Sequence, residues 1–309
     1  MVWPCDGLRF GLYFAAVPRA ILALVQGCCI AAWLTFHCVR PPEMALSTSK
    51  LWVFEGLAVL VLDFSFFLIA APAVIFAGIS KGGFGSGAAF AASSILALIL
   101  PPGLALGVML PLLMLMDVAS LRPYWGKWRW HEARLLIFGG VPGVALGAAL
   151  FSVVDDDVFR VLIGVISVAF VMWRIGLSRS WVVISAGNVP DWQGRVAGFT
   201  AGFTSFVSHA GGPPAAVYLL SRGVSKTEYQ ASTVIVFWVI NIVKFIPYAF
   251  LGMFTLETGL ANLALAPFAL IGTWIGVKAH HLVPERVFFA FTYVVLMITG
   301  FKLMFDGLT

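Results

Sequence analysis

Charged residues are scarce in this sequence. Asp, Glu, Lys and Arg together make up 11% of its 309 residues, whereas hydrophobic residue types make up 61%. Soluble globular domains carry about 25% charged and about 45–50% apolar residues. A single soluble core could not hide this much apolar surface, so a lipid bilayer must solvate much of the chain. The composition therefore predicts a membrane protein.

Cysteine is also rare, since the chain has only four, all within its first 40 residues. A metal or redox cluster needs several thiols or imidazoles at fixed spacing, and neither these cysteines nor His131, His280 and His281 provide one. We therefore expect no metal and no cofactor. The formal charge of +5 does not indicate nucleic acid, because no basic run is interleaved with polar recognition residues.

The first 50 residues predict an N-terminal extension or anchor segment. Arg9 and Arg19 precede an apolar run from residue 20 to 36. A cleaved signal, an uncleaved anchor and a misassigned start codon all remain open. The absence of a clear small-residue cleavage site favours the uncleaved anchor.

From residue 51 onward, repeated apolar runs predict an all-α polytopic membrane protein. Several runs reach the length of about 20 residues that a spanning helix requires. The runs at 84–100, 195–208 and 212–221 are shorter, and glycine interrupts them at Gly82–Gly87 and Gly211–Gly212. Irregular backbone at membrane depth is tolerated only where protein or a water-filled cavity surrounds it.

The two breaks belong to an internal repeat. One ungapped offset places Asp117 on Asn241 and also aligns Gly78 with Gly202, Gly87 with Gly211, and Pro123-Tyr124 with Pro247-Tyr248. This offset predicts a first transmembrane repeat at 51–178, a linker at 179–194 and a second repeat at 195–309. Each repeat would hold one broken helical hairpin and three spanning helices.

Loop charge indicates that the two copies are inverted. The loop at 122–134 carries four basic residues, whereas the equivalent loop at 252–259 carries only Glu257. Basic loops lie on the cytoplasmic side, so equivalent loops should lie on opposite sides. Inverted repeats with broken helices are a recurrent design of secondary transporters, which bind substrate at the repeat interface.

The breaks supply most of the candidate substrate-binding residues. Glycines let the backbone approach a ligand, and a new helix offers free N–H groups that suit an anion. Buried polar residues on the helices after each break are further candidates, because ionisable groups inside spans are functional by default. The predicted set is Lys81, Gly82, Gly83, Gly85, Ser86, Ser208, His209, Gly211, Gly212, Asn241 and Lys244, with Asp117 and His209 coupling protons.

Structural interpretations of the same residues stay open at this point. The first motif could be a packing seam with Lys81 extending to the membrane interface, and His209 could be an ordinary packed histidine. Asp117 could form a salt bridge that joins two helices. Lys244 could face an anion or neutralise Asp117.

These motifs resemble the TauE/SafE family of sulfite-exporter-like transporters. The resemblance lies in GISKGGFGSG, in GFTSFVSHAGGPPAAVYLL and in KTEYQASTVIVFWVINIVKFIPYAFLG, and it extends over approximately residues 65–305. The first motif departs from the family pattern at GSGAA, which puts Ser86 in doubt as a ligand. The resemblance implies export of sulfite, sulfonates or related organosulfur anions across a bacterial inner membrane, without enzymatic activity.

The alternatives to a transporter of small anions are an ion channel or cation carrier, an intramembrane enzyme and a purely structural or scaffolding membrane protein. An ion channel or a cation carrier would need several buried carboxylates, and the repeat pair offers only Asp117. An intramembrane enzyme would need a nucleophile–base pair, but Ser208 and His209 are sequence neighbours that a helix points apart. The expected partners are thus a small anion, the lipid bilayer and protons.

Overall fold

Ten α-helices form the part of the chain that a computed structural model describes, residues 64–85, 88–179, 189–280 and 285–309. The predictions for residues 1–50, for Ser86 and for most of the 179–194 linker lie outside these ranges. In chain order the helices are α1 (Phe64–Ile79), which continues into a π-helical turn (Ser80–Phe84), α2 (Phe90–Leu96), α3 (Pro102–Leu121), α4 (Trp130–Phe151), α5 (Asp156–Ser178), α6 (Asp191–Ser208), α7 (Gly212–Ser221), α8 (Lys226–Phe250), α9 (Leu256–Ala279) and α10 (Glu285–Asp306).

Seven of the described elements are long and apolar enough to cross a bilayer. These are α1 with its π-helical turn, α3, α4, α5, α8, α9 and α10. The elements α2, α6 and α7 complete the two broken hairpins, one at the start of each repeat. The prediction of an all-α polytopic membrane protein is confirmed.

Local sequence signals fix where several helices begin. Proline stands at the start of α3 and α7, where its missing N–H is not needed by the helix. At the start of α8, the Ser225 hydroxyl accepts from the Glu228 amide, and the Glu228 carboxylate accepts from the Ser225 amide. This capping box satisfies backbone donors that would otherwise lack partners.

Equivalent loops of the two repeats lie at opposite ends of the bundle. After α3, the amide of Arg129 donates to the Ser232 hydroxyl near the start of α8, at 3.0 Å. After α8, Met253 instead packs on Gly107 near the start of α3. The two helices are therefore antiparallel, as the inverted arrangement requires.

The repeats interlock instead of packing as separate halves. The helix α4 of the first repeat packs along α6 of the second, and α9 of the second packs along α1 of the first. Glycine allows both close approaches: a methyl group at Gly202 would overlap the Gly140 carbonyl, and one at Gly276 would overlap the Ile79 carbonyl. Each broken hairpin is thus held by a spanning helix of the other repeat.

Candidate functional site

The first break is a π-helical turn that ends in a glycine with positive φ. The turn covers Ser80–Phe84, and Gly85 follows with φ of +83°. The Ser80 hydroxyl donates to the Gly85 carbonyl at 2.9 Å, and the Tyr124 hydroxyl donates to the Gly82 carbonyl at 2.8 Å. Single π turns inside α-helices are frequent at functional sites. Gly83 packs tightly on α9, so this backbone is fixed against the opposite repeat.

Lys81 extends from this turn into a buried ion pair. Its ammonium lies 2.5 Å from Asp117 Oδ1 and 3.4 Å from the Leu113 carbonyl on α3. The Asn241 amide donates to the other carboxylate oxygen, Oδ2, at 2.7 Å. Since Lys81 is only 5% exposed, the interpretation that it extends to the membrane interface is wrong.

The second break is built around His209. This residue ends α6 in the left-handed conformation, with φ of 58° and ψ of 17°. Its amide donates to the Ser205 carbonyl at 3.0 Å, and the Ala210 amide donates to Thr204 at 3.2 Å. Left-handed backbone is unfavourable for residues with a Cβ atom. The 124-residue offset that separates Asp117 from Asn241 also relates His209 to Gly85, the residue of positive φ at the first break.

Lys244 joins α8 to this second break. Its ammonium donates to the Ser205 carbonyl at 2.9 Å, to the Ser205 hydroxyl at 3.0 Å and to His209 Nδ1 at 2.8 Å. Because an ammonium only donates, Nδ1 accepts and a neutral ring carries its proton on Nε2. Among the described residues, Nε2 has no hydrogen bond of good geometry, although the Leu106 backbone lies near the ring. A buried N–H donor is therefore available beside Lys244.

Where one repeat has a lysine near its break, the other repeat has a serine at the equivalent position. At the offset of 124 residues, Lys81 corresponds to Ser205, and Lys244 corresponds to Ser120. The lysine therefore lies in the broken hairpin of the first repeat and in the following helix of the second, and the serine occupies the other position. Sequence reasoning missed Ser205, which contacts Lys244, although the repeat offset alone would have paired it with Lys81.

The repeat also reproduces a tyrosine contact. Tyr248 donates to the Phe206 carbonyl at 2.7 Å, and both residues lie 124 positions after Tyr124 and Gly82, which make the equivalent bond. Each tyrosine satisfies a carbonyl near its break and anchors the next helix to the hairpin. The Pro-Tyr pairs marked the repeat in the sequence, but this role was not predicted.

Three more predicted site residues surround the second break. The Ser208 hydroxyl donates to the Thr204 carbonyl on its own helix at 3.2 Å. Gly211 packs tightly against the Ala201 carbonyl and the Ser205 side chain, and Gly212 is buried at the start of α7. Their part in binding a ligand stays a prediction.

The residues that converge define a lysine cluster, namely Lys81, Asp117, Ser205, His209, Asn241 and Lys244. All six are at most 5% exposed. The cluster brings two lysine side chains together with one aspartate. A charged side chain at the centre of a spanning helix costs about 2.5–3.5 kcal/mol on insertion scales. An anion bound near the cluster would balance the positive charge of the second lysine. Among the described residues, no group of three or more His, Cys, Asp or Glu could hold a metal ion.

A cavity of about 270 Å³ lies between the first break and α7. We call it the aromatic cavity. Its wall is mostly apolar, with Arg174, Lys226 and Gln230 among its polar residues, and it comprises Gly83, Phe84, Phe170, Trp173, Arg174, Pro213, Ala216, Leu220, Val224, Lys226, Tyr229, Gln230, His280 and Phe289. The Gln230 amide donates to the Lys81 carbonyl at 2.6 Å. One buried glutamine therefore connects the cavity wall to the backbone of the lysine cluster.

Ion pairs join the two repeats at the end of the bundle that carries the basic loop 122–134. Glu132, at the start of α4, is buried and lies 3.6 Å from both Arg129 and Arg222. Asp191, at the start of α6, lies 3.5 Å from Arg222 and 3.1 Å from His131. The hydrogen bond with the His131 ring holds the pKa of Asp191 below its ordinary value. These pairs hold α4, α6 and α7 together at that face.

Comparison with known families shows a match over most of the chain. The family model described as Sulfite exporter TauE/SafE matches residues 70–303. No curated protein and no solved structure matches the chain. The matched range contains both breaks and all six residues of the lysine cluster.

Proposed function

The chain belongs to the sulfite exporter TauE/SafE family of membrane transporters, and from this premise we propose that it exports a small sulfur-containing anion by alternating access. The observation that carries the proposal is the lysine cluster at the contact between two inverted repeats. Secondary transporters of this design bind substrate at the repeat interface. The anion would be sulfite or an organic sulfonate.

The proposed binding groups come from both repeats. Lys81 and Lys244 supply positive charge, and the Nε2–H of His209 supplies a donor for an oxyanion. Asn241 bridges the two sides, because it donates to Asp117 while it shares a helix with Lys244. A charge-assisted hydrogen bond is worth about 1.5–3 kcal/mol. Because this value already includes the exchange with water, two such bonds would contribute directly to the free energy of binding.

The interlocked packing suggests which parts move. Lys81 and Asp117 belong to the body formed by α1, α3 and α9, whereas Lys244, Ser205 and His209 belong to the body formed by α4, α6 and α8. The bond between Asn241 and Asp117 crosses from one body to the other. We propose that these mixed bodies, rather than the sequence repeats, rock against each other and expose the lysines to one face at a time.

Counterflow of labelled sulfite in proteoliposomes tests the proposal. We expect Lys244→Gln to lower the apparent affinity roughly 10- to 100-fold, the loss expected for one charged hydrogen bond. The neighbours of Lys244 are a carbonyl, a hydroxyl and an imidazole, so the variant leaves no opposite charge unpaired. Lys127→Gln, at an exposed lysine outside the cluster, is the matched control. Absence of counterflow with sulfite and with simple sulfonates would refute an anion carrier.

We also propose protons as the coupling ion, with Asp117 and His209 as their carriers. The support is burial beside the substrate lysines, where a bound anion would change the charge around both groups. Transport should then change the pH inside the proteoliposomes, and the double variant His209→Ala, Asp117→Asn should abolish that change. Transport at the same rate without a proton gradient and without any pH change would exclude the coupling.

A further inference from the structure

The aromatic cavity combines a cationic end with an apolar wall. Arg174 and Lys226 are its basic side chains, and among the described residues no carboxylate lines it. The guanidinium carbon of Arg174 lies 5.4 Å from the ring centre of Phe289 and 6.0 Å from that of Trp173. Stacked guanidinium groups of this kind are well suited to oxyanions, because their planar N–H donors remain in a fixed orientation.

Arg174 is held in place by a neutral partner. Its Nε donates to the Tyr293 hydroxyl at 2.8 Å, and no carboxylate pairs with it in the part of the chain that the structure describes. Among the described residues, no carboxylate therefore compensates the charge on its terminal nitrogens. Lys226, the second basic residue of the wall, donates to the His280 carbonyl at 2.9 Å. The Arg174 guanidinium thus offers an anionic group a cationic partner at the cavity wall.

The rest of the wall fits an apolar group. Phe84, Phe170, Trp173, Tyr229 and Phe289 surround the space together with Pro213, Ala216, Leu220 and Val224. A water molecule occupies about 30 Å³ in the liquid, so 270 Å³ holds roughly nine groups of that size. An inorganic oxyanion of four heavy atoms would fill only a small part of this volume and would touch little of the aromatic wall.

We propose that the aromatic cavity binds an organic oxyanion, a sulfonate with an apolar group of about four to six carbon atoms, before it passes to the lysine cluster. The sulfonate oxygens pair with Arg174, and the apolar group packs on Trp173 and Phe170. This inference rests on the proposed function and narrows its substrate from inorganic sulfite to an organic sulfonate. Gln230 and Gly83 lie where the cavity meets the first break.

Calorimetric titration of the full chain in detergent tests this inference with sulfite, methanesulfonate, butane-1-sulfonate and benzenesulfonate. A fully buried methylene raises affinity roughly fourfold, so butane-1-sulfonate should bind at least tenfold more tightly than methanesulfonate. Methyl phenyl sulfone, which has the ring but no charge, should bind much more weakly than benzenesulfonate. Equal affinities across the charged series would overturn the inference, while sulfite counterflow would still support the proposed function.

Variants assign the binding to this cavity. Arg174→Gln should weaken benzenesulfonate at least tenfold, and Trp173→Ala should flatten the dependence on chain length while methanesulfonate affinity is kept. The control Arg160→Gln removes the same charge at the other end of α5, where Arg160 pairs with Asp157. Unchanged benzenesulfonate binding in Arg174→Gln would place the site elsewhere. If no anion in the series binds or moves, the proposed function fails together with the inference.

Discussion

Replacing His209 separates the backbone requirement of the second break from the chemistry of its imidazole. The residue is left-handed, and its ring accepts a hydrogen bond from Lys244 at 2.8 Å. Left-handed backbone costs about 1–2 kcal/mol for residues with a Cβ atom, and a hydrogen bond to a charged group contributes about 1.5–3 kcal/mol. His209→Ala loses the hydrogen bond and retains the strain, whereas His209→Gly loses the same bond and relieves the strain.

We therefore expect His209→Ala to destabilise the protein by about 1.5–3 kcal/mol, and His209→Gly by about 1 kcal/mol less. Both variants should transport sulfite poorly, because each lacks the Nε2–H donor. The free energy of unfolding can be measured by denaturant titration in mixed micelles, and transport by counterflow. A glycine variant no more stable than the alanine variant would refute the strain argument. Full transport by the glycine variant would show that the imidazole has no part in binding.

Three further outcomes follow from the packing. Lys81→Met should destabilise the protein by about 3–5 kcal/mol, because it leaves the Asp117 carboxylate buried without its cation, and adding Asp117→Leu should recover part of that loss in the same unfolding titration. Gly202→Ala should cost several kcal/mol through overlap with a facing carbonyl, whereas the control Gly259→Ala, with open space at its Cβ position, should be neutral or slightly stabilising. Burial raises the pKa of Tyr124, in the turn after α3, to about 12 from its ordinary 10.0; folding stability should fall as pH rises through that interval, and Tyr124→Phe should make this fall less steep.

Much of the architecture could be predicted from the sequence, because polar residues that are rare inside membrane-spanning helices mark the repeat. Asp117 and Asn241 were paired by a single offset, and in the structure they hydrogen-bond to each other. Loop charge alone predicted that the copies are inverted. The prolines after Gly212 marked the start of α7, where the helix does begin.

The site was only partly accessible. Lys81, Asp117, His209, Asn241 and Lys244 were predicted, and they lie together in the lysine cluster. The left-handed conformation of His209 at the second break was not predicted. Nothing in the sequence marks this histidine as left-handed, since its conformation is set by the hairpin around it.

The aromatic cavity was beyond the reach of sequence reasoning. Phe170, Trp173 and Arg174 lie on α5, whose apolar residues give no sign of which neighbour they face. The cavity forms because α5 packs against α10 while α7 approaches the first break. Such contacts join positions far apart in the chain, and no local pattern or repeat offset specifies them.

The exchange of helices between repeats has a consequence for biosynthesis. When the ribosome has completed the first repeat, α1 has emerged without α9, and α4 has emerged without α6. The glycine-containing faces of α1 and α4 must therefore stay in the translocon or in lipid, without their partner helices, until the second repeat has been synthesised. Two fragments cut in the linker should therefore accumulate only when a cell makes both, since each supplies the missing half of the other's helix pairs.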